Sequence, residues 1–350
     1  MNFDTSSRRN FIKKSAIVTG FAATGSAALA LNSEMPSGGV EKLTREVWIA
    51  SFSQSGLSEK SPADLEEKML KLLGNLSIYK PDIVCLPEAY PFQIAGQKYS
   101  MAQQLEISAE SLVKYAAFSK LNNCYTICPV YTAENGLSYN AAVIFDRSGA
   151  KLGEYRKIRL TKGEVESGLI PGPVIPPVFQ TDFGKIGVQI CFDSLWDDGW
   201  KSLRAQGAEI VFWASAYSGG QVLNAKALLH QYVVVSSTRP GPAKICDISG
   251  ELIAQTGKWD KNLVCAPVNL EKAFLHTWPY CNRFPEIKLK YGRKVKITTY
   301  HDEEWTIIES LSPDVKVADI MAEFELRTYE QHKLDAEIAQ ENARKKAGIY

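Results

Sequence analysis

Three residues of types that can perform nucleophilic catalysis follow strand-like segments of the sequence. Cys191 ends the apolar run 185–190, and a cysteine at a strand-to-helix turn can have its thiolate stabilised by the helix N-terminus and by nearby cations. Glu88 follows the buried run 82–86, where a carboxylate at the exit of a strand can act as a general base. Lys157 stands just after a strand, where its ammonium group could present a fixed positive charge to a developing oxyanion. Together these residues suit attack by a thiol on a carbonyl or nitrile carbon.

Each of these residues also has a plainer interpretation when it is taken alone. Glu88 could be a surface carboxylate and Lys157 part of a solvated basic cluster, since most lysines are exposed. A cysteine in an apolar run is more often a buried, inert thiol than a nucleophile. We expect this second interpretation to apply to five thiols and leave Cys281 open; the five are Cys85, Cys124, Cys128, Cys246 and Cys265.

The segments that must position these side chains alternate between strands and helices. Apolar runs and alternating patterns predict strands at 46–52, 82–86, 124–131, 139–145, 185–190, 209–214 and 232–237, with two more flanking the turn 247–250. Helical spacing of apolar residues predicts helices at 62–78, 104–121, 195–206 and 223–231. This alternation indicates a layered α/β domain over about 45–275.

The chain after this domain has a different composition. From about Arg283 charged residues dominate, and 330–346 has the pattern of a solvated helix with few apolar anchors. We therefore predict a C-terminal extension, 276–350, that lies on the surface or covers a subunit contact.

The first 30 residues have the pattern of an export signal. The pair Arg8-Arg9 precedes a weakly apolar stretch, 15–30, that ends in small residues. This layout resembles a twin-arginine signal, which would engage the twin-arginine export machinery and place the protein in the periplasm. The stretch is shorter than the roughly 20 strongly apolar residues of a spanning helix, although a membrane anchor by an uncleaved signal stays open. Residues 31–44 are expected to form a flexible linker.

The composition of the chain argues against two classes of binding partner, nucleic acids and metal ions. The 350 residues are 45% hydrophobic and 23% charged, with 40 Lys plus Arg against 39 Asp plus Glu, so the formal net charge is +1. A near-neutral chain without a long basic run argues against nucleic acid as a partner. Seven cysteines without paired C-x-x-C clusters, and four histidines without i, i+4 spacing, indicate neither a metal site nor a metal cofactor.

The order and the flanks of the three reactive positions carry a resemblance to a known family. Glu88 after Leu-Pro, Lys157 in Tyr-Arg-Lys and Cys191 in Gly-Val-Gln-Ile-Cys-Phe-Asp resemble the carbon–nitrogen hydrolase family, also called the nitrilase superfamily. Supporting segments lie at 139–143, 163–172, 181–185, 225–227, 232–235 and 247–250, so the resemblance covers about 46–270.

The resemblance implies a fold, a set of catalytic residues and an assembly. The fold is an αββα sandwich that commonly pairs with a second copy, so a homodimer or a higher homo-oligomer is expected. The catalytic residues are a triad of Glu88, Lys157 and Cys191, with a second glutamate on the loop after the lysine. Glu164 is the preferred second glutamate, and Glu166 is the alternative because either can align with the family pattern.

The resemblance also implies a thiol-dependent hydrolase that uses no cofactor. Its substrates would be water and a small amide or N-carbamoyl compound, with nitrilase and N-acyltransferase activity as alternatives. A true nitrilase usually continues the cysteine with Trp-Glu, whereas Phe192-Asp193 follows here, and membrane-bound acyltransferases need several apolar spans. Three aromatic residues are expected to line the substrate pocket: Tyr90, Trp196 and Tyr217.

Overall fold

The computed structural model describes residues 42–349. The expected signal, 1–30, and all of the expected linker except its last residues, 42–44, lie outside the described residues. Within the described part of the chain, no helix is long and apolar enough to cross a membrane.

The strands of residues 42–349 form three sheets. In chain order the strands are β1 (Glu46–Phe52), β2 (Ile83–Cys85), β3 (Tyr125–Glu134), β4 (Leu137–Phe145), β5 (Lys151–Arg156), β6 (Val178–Gln180), β7 (Lys185–Ile190), β8 (Ile210–Ser215), β9 (Val233–Thr238), β10 (Lys244–Cys246), β11 (Leu252–Gln255), β12 (Leu263–Asn269), β13 (Lys272–His276), β14 (Val295–Tyr300) and β15 (Trp305–Ser310). The first sheet has the order β12-β1-β2-β3-β4-β5, the second β11-β10-β9-β8-β7-β6, and the third β13-β15-β14.

The helices of the same residues lie between the strands and at the C-terminal side. In chain order they are α1 (Pro62–Gly74), α2 (Met101–Asn122), α3 (Lys162–Glu166), α4 (Asp198–Ala205), α5 (Gln221–His230), α6 (Phe284–Tyr291), α7 (Val317–Glu323) and α8 (Tyr329–Ala347). Local sequence explains where several of them begin: the Ser61 side chain accepts from the backbone N–H of Asp64 at the start of α1, and Ser100 and Gln103 form a capping box on α2.

Two sheets and two pairs of helices make an αββα sandwich, which agrees with the layered α/β domain predicted from the pattern and with the fold that the family resemblance implies. The central core lies between the sheets and includes Ile49 and Ile127 from the first and Val188 and Phe212 from the second. The outer face of the first sheet packs on α1 and α2 through Leu65, Met69, Tyr115 and Phe118, all nearly or fully buried. The outer face of the second sheet packs on α4 and α5 through Trp200, Leu203, Leu223 and Ala227. Because the inner strands are covered on both faces, they are nearly continuous apolar runs.

The parallel strands of both sheets end at one edge of the sandwich. Strands β1, β2 and β3 run parallel in the first sheet, and β7, β8 and β9 run parallel in the second. Ser53, just after β1, forms a parallel bridge with Thr238 at the end of β9, so the two sets of strand ends meet. The carboxyl ends of parallel strands are where α/β proteins place their ligands.

The helix predicted at 195–206 forms, but it begins later than the sequence predicts. Cys191–Leu195 is a five-residue 3₁₀ helix, and α4 begins only at Asp198 because Trp196 adopts an extended conformation. The thiol therefore lies at a tight turn instead of at the N-terminus of an α-helix.

The C-terminal extension contains more packed structure than its charged composition suggests. The third sheet together with α6 and α7 encloses a separate core, which includes Leu275, Ile287, Ile308 and Ile320, all fully buried. Helix α8 has no buried residue, in keeping with its charged sequence, and Arg204 of α4 forms a bidentate ion pair with Glu330 at its start.

Candidate active site

Cys191 occupies a strained turn directly after β7. Its φ is +48°, in the left-handed region that costs a residue other than glycine about 1–3 kcal/mol. The indole Nε1 of Trp213 donates to the carbonyl oxygen of Cys191 at 3.0 Å, which holds the strained residue in place. The turn presents the thiol at the edge where the parallel strands end, and Cys191 is only 8% exposed.

The carboxylate of Asp193 ties this turn to the strand that leads to Lys157. Asp193 Oδ2 accepts from the Tyr155 hydroxyl at 2.6 Å and from the backbone N–H of Ile190 at 2.8 Å. Its Oδ1 accepts from the backbone N–H of Arg159 at 2.8 Å. Burial raises the pKa of Asp193 to about 6, against the lowering effect of these hydrogen bonds.

Glu88 follows β2 in the chain, and both of its carboxylate oxygens accept hydrogen bonds. Its Oε1 accepts from Lys157 Nζ at 2.8 Å and from Asn140 Nδ2 at 2.9 Å. Its Oε2 accepts from the backbone N–H of Ala216 at 2.8 Å. The next residue, Ala89, has a φ of +46°, so the chain turns sharply there. Glu88 is only 4% exposed, at the edge of the sandwich where the parallel strands end.

Lys157 extends its ammonium group between two carboxylates. Its Nζ lies 2.8 Å from Glu88 Oε1 and 2.8 and 3.0 Å from the two oxygens of Glu164, and the residue is 1% exposed. Burial lowers the pKa of Lys157, but the charges of Glu88, Cys191 and Glu164 together raise it above its ordinary value. The ammonium group is therefore a permanent positive charge in a nearly dry site.

The second carboxylate beside the lysine belongs to Glu164 and not to Glu166. Glu164 is the N3 residue of the capping box on α3, where its Oε2 accepts from the backbone N–H of Thr161 at 2.7 Å. Burial raises the pKa of Glu164, but Lys157 and the hydrogen bonds from Thr161 and Asn140 lower it below its ordinary value overall. Glu166 is exposed and lies 3.5 Å from Lys162, its nearest cation.

The Cys191 thiol is held in its protonated form. Burial and the nearby carboxylate of Glu88 raise its pKa to about 11, against the lowering effect of Lys157. Hydrogen bonds from the Ala216 backbone and the Ser215 side chain also lower it without reversing the shift. A thiol with this pKa becomes a nucleophile only when a base takes its proton, and Glu88 is the carboxylate whose charge acts on it most strongly.

The three aromatic residues expected in the pocket fall into two groups. Tyr90 is fully buried with its hydroxyl 3.0 Å from Glu66 in the core under α1 and α2, so it does not line the pocket. The chain turns at Ala89, which has a φ of +46°, and the Tyr90 side chain after it packs in the core. Trp196 and Tyr217 are 38% and 39% exposed, and the Tyr217 hydroxyl lies 3.5 Å from the Cys191 carbonyl oxygen.

Three groups in the site were not singled out from the sequence. Asn140 donates to both Glu88 and Glu164, at 2.9 and 2.8 Å, so it fixes the distance between the two carboxylates. Asp193 fixes the cysteine turn, and the backbone N–H of Ala216 fixes Glu88. A polar residue inside the buried run of β4 was a usable signal for Asn140, whereas a backbone N–H leaves no trace in the sequence.

A profile of the family described as Carbon-nitrogen hydrolase matches residues 55–274. That range includes every residue of the cluster around Lys157 and Cys191. The chain belongs to the carbon–nitrogen hydrolase family. The match ends at residue 274, within β13 and two residues before the predicted C-terminal extension, 276–350.

Individual relatives of this carbon–nitrogen hydrolase are distant. It is 26% identical to a deaminated glutathione amidase from Dictyostelium discoideum over 226 residues, which span 58% of this chain and 76% of that one. It is 27% identical to an N-carbamoylputrescine amidase from Solanum tuberosum over 189 residues, 44% of this chain and 63% of the relative.

Solved structures resemble the fold of the chain. A carbon–nitrogen hydrolase from Helicobacter pylori G27 superposes with a TM-score of 0.58 at 18% identity, covering 71% of this chain and 94% of the other. An amidase from Nesterenkonia sp. superposes with a TM-score of 0.57 at 18% identity, covering 66% and 93%. At these identities the likeness concerns the αββα fold alone.

Proposed function

We propose that the protein hydrolyses a small amide or N-carbamoyl compound through a thioester on Cys191. The observation that carries this proposal is the buried ammonium group of Lys157, fixed between Glu88 and Glu164 beside the thiol. A base next to a thiol and a fixed cation next to the same thiol are what nucleophilic attack on a carbonyl carbon requires. The named amidases among the relatives support the same class of substrate.

In the first half of the reaction Glu88 takes the proton of the Cys191 thiol. The sulfur forms a bond to the amide carbon, and the carbonyl oxygen becomes an oxyanion stabilised by Lys157 Nζ. Glu88 then delivers its proton to the amide nitrogen, the carbon–nitrogen bond breaks, and ammonia or an amine leaves. The acyl group remains on the sulfur as a thioester.

In the second half water replaces the amine. Glu88 takes a proton from water as the oxygen attacks the thioester carbon, and Lys157 again stabilises the oxyanion. The carbon–sulfur bond breaks, the proton returns to sulfur, and the acid is released. Glu164 and Asn140 position the two groups in both halves, because Glu164 accepts from Lys157 Nζ and Asn140 donates to Glu88 Oε1.

A nitrilase reaction is the second candidate. Its support is a relative named as a nitrilase from Pyrococcus abyssi, which is 28% identical over 148 residues. The dipeptide Phe192-Asp193 after the nucleophile favours the amide over the nitrile.

An ammonia-release screen tests this proposal. Small amides, N-carbamoyl compounds and nitriles are incubated with the full chain and, as a blank, with the Cys191→Ala variant. We expect ammonia from at least one amide or carbamoyl compound and none from the blank. Ammonia release that persists in Cys191→Ala, or that occurs only from nitriles, would overturn the amidase assignment.

A further inference from the structure

An open cavity of about 430 Å³ adjoins the proposed catalytic cluster at the ends of β1, β8 and β9. Ala216 lines this cavity, and the backbone N–H of the same residue donates to Glu88 Oε2 at 2.8 Å. The cavity therefore shares a wall with the general base. A substrate whose amide reaches Cys191 can extend its far end into this space.

Arg239 gives the cavity its chemical character. Among the described residues that line it, Arg239 alone is charged; the polar lining also includes Gln54, Ser55 and Gln93. Within residues 42–349 the Arg239 guanidinium has no carboxylate in ion-pair range, and its buried Nε has no hydrogen-bond partner. Buried donors are nearly always paired in proteins, so an unpaired one beside a cavity is available to a ligand that enters it.

The segment that carries Arg239 is held rigidly by the strand ends. The backbone N–H of Arg239 donates to the Ser215 carbonyl oxygen at 2.9 Å. Two residues later the Gly241 carbonyl oxygen accepts from the hydroxyls of Ser53 and Thr238, at 2.7 and 2.9 Å. A site built on fixed backbone loses little entropy when it binds a ligand.

Gln54 supplies a second unpaired polar group on the opposite strand end. It is 7% exposed, its Oε1 has no partner among the described residues, and its backbone N–H donates to the Thr238 carbonyl oxygen at 2.8 Å. A carboxamide carries both donors and an acceptor, so Gln54 can bind a polar group of either kind. Among the described residues that line the cavity, Arg239 is therefore the one that can select a substrate by its charge.

The geometry points to a carboxylate on the substrate, bound by Arg239 at the end remote from the scissile amide. The forked donors of a guanidinium match the two oxygens of a carboxylate and make a charge-assisted, bidentate pair. The substrate class is then an amide or N-carbamoyl derivative of an acid. This inference rests on the proposed function, because it concerns the other end of the same substrate.

Matched substrates test the inference. The kcat/KM values are measured for butyramide and for the series malonamate, succinamate, glutaramate and adipamate, which add a terminal carboxylate at increasing distance. We expect one member of the series to exceed butyramide by at least 10-fold. In Arg239→Gln that advantage, taken as the ratio of the two kcat/KM values in the same variant, should fall by about 10–100-fold, as for the loss of a hydrogen bond to a charged group.

Two further variants separate ligand binding from a structural role. Arg239→Lys keeps the charge but loses the fork, so it should restore part of the advantage. Arg293→Gln removes one exposed charge from the C-terminal extension. It should leave the kcat/KM ratio of the best acidic amide to butyramide unchanged. Glutarate or succinate should bind Cys191→Ala in calorimetry and fail to bind the Cys191→Ala/Arg239→Gln double variant.

The outcomes distinguish failure of the inference from failure of the proposed function. One outcome overturns the inference and leaves the amidase function standing. In that outcome butyramide and every acidic amide have equal kcat/KM values, and Arg239→Gln does not change the ratio between them. The inference is also overturned if Arg239→Gln lowers the kcat/KM of butyramide and of the acidic amides by the same factor, because Arg239 would then support the fold and not bind the carboxylate. No turnover of any amide or carbamoyl compound overturns both.

Discussion

Lys157 Nζ donates to Glu88 Oε1 at 2.8 Å, so the proposed oxyanion stabiliser and the proposed base are in direct contact. The other oxygen of Glu88 is held by the Ala216 backbone. The carboxylate therefore cannot rotate freely, and in the proposed mechanism the proton that it takes from the thiol stays within the cluster. The same contact keeps the negative charge of Glu88 close to Cys191. Burial and this charge together raise the pKa of the Cys191 thiol to about 11.

Glu88→Gln should change catalysis and thiol reactivity in opposite directions. Loss of the base should lower kcat/KM for the amide by about 10²–10⁴-fold. Loss of the like charge should lower the pKa of Cys191, so alkylation of this thiol by iodoacetamide at pH 8 should become faster. The rates are followed by peptide mass mapping, with half-buried Cys281 as the internal reference.

The matched control for this experiment is Glu166→Gln. Glu166 is exposed and remote from Lys157, so neither rate should change in that variant. If Glu88→Gln slows alkylation and amide hydrolysis by the same factor, Glu88 does not raise the pKa of the thiol. Preferential labelling of Cys281, with activity intact, would count against Cys191 as the nucleophile.

Glu164→Gln tests whether the second carboxylate positions the lysine. The variant keeps one oxygen for Lys157 but loses the charge, so we expect kcat to fall by about 10-fold or more with little change in KM. Since Glu164 has a lowered pKa in the folded protein, its carboxylate stabilises the fold above its unfolded pKa, and this contribution is lost as the pH falls. Thermal unfolding of wild type and variant should therefore converge on acidification, whereas Glu166→Gln should follow wild type throughout.

Asp193→Asn should loosen the turn that holds the nucleophile. The carboxylate accepts three hydrogen bonds, and an amide would direct an NH₂ group at a backbone N–H, which should cost about 1–3 kcal/mol. The folded pKa, about 6, lies above the ordinary 3.8, so the native state binds the extra proton and this group's contribution falls as the pH rises from about 4 to about 6.

Denaturant unfolding of wild type and Asp193→Asn between pH 4 and pH 7 measures this contribution. The difference in unfolding free energy should be largest near pH 4 and smaller at pH 7. Asp198→Asn is the control, because its exposed pair with Arg159 should contribute about 0–1 kcal/mol at any pH. A pH-independent difference for Asp193→Asn would mean that Asp193 is ionised throughout this range.

Much of the fold could be predicted because its strands are buried on both faces. The run 185–190 and strand β7 have the same bounds, and 46–52 coincides with β1, since continuous apolar segments between turn residues leave few alternatives. The helix predicted at 195–206 forms, but it begins three residues late, at Asp198, because a tertiary contact decides the backbone before it: Asp193 turns back onto Ile190 and keeps Cys191–Leu195 in a 3₁₀ conformation.

The site was predictable to the extent that it depends on residue type and order. The contact of Glu164 with Lys157, against the exposure of Glu166, depends on the capping box of α3, which spacing alone leaves ambiguous. Tyr90 was misplaced because the direction of a side chain after a strand depends on the left-handed turn at Ala89. Arg239 carried no local signal, since its importance comes from a cavity formed by three separate strand ends.

Export is a proposal of its own, carried by Arg8-Arg9 and the apolar stretch after it. Replacing both arginines with lysine keeps the charge but removes the pair that the twin-arginine receptor reads. We expect the full chain to be recovered from the periplasmic fraction of an expressing bacterium, and the Lys-Lys variant from the cytoplasmic fraction. Unchanged fractionation of the variant would contradict a twin-arginine signal.

Lys157→Met separates the amide reaction from the nitrile reaction. Methionine has a similar length but no charge, so the oxyanion of an amide adduct loses its fixed counter-charge, and kcat/KM should fall by about 10²–10³-fold or more. A nitrile of matched structure forms a nitrogen-centred adduct first and should lose less. Glu88 and Glu164 would then face each other without a cation, which should destabilise the fold by about 3–5 kcal/mol near neutral pH.

Circular dichroism and thermal unfolding at pH 5.5 and pH 7.5 show whether the Lys157→Met variant is folded when its kinetics are measured. Protonation of either carboxylate relieves their repulsion, so the variant should be more stable relative to wild type at the lower pH. Cys191→Ser, which keeps the three buried charges, is the control for the stability effect. Faster hydrolysis of the nitrile than of the amide by wild type would overturn the amidase proposal, and near-normal amide turnover by a folded Lys157→Met variant would overturn the triad.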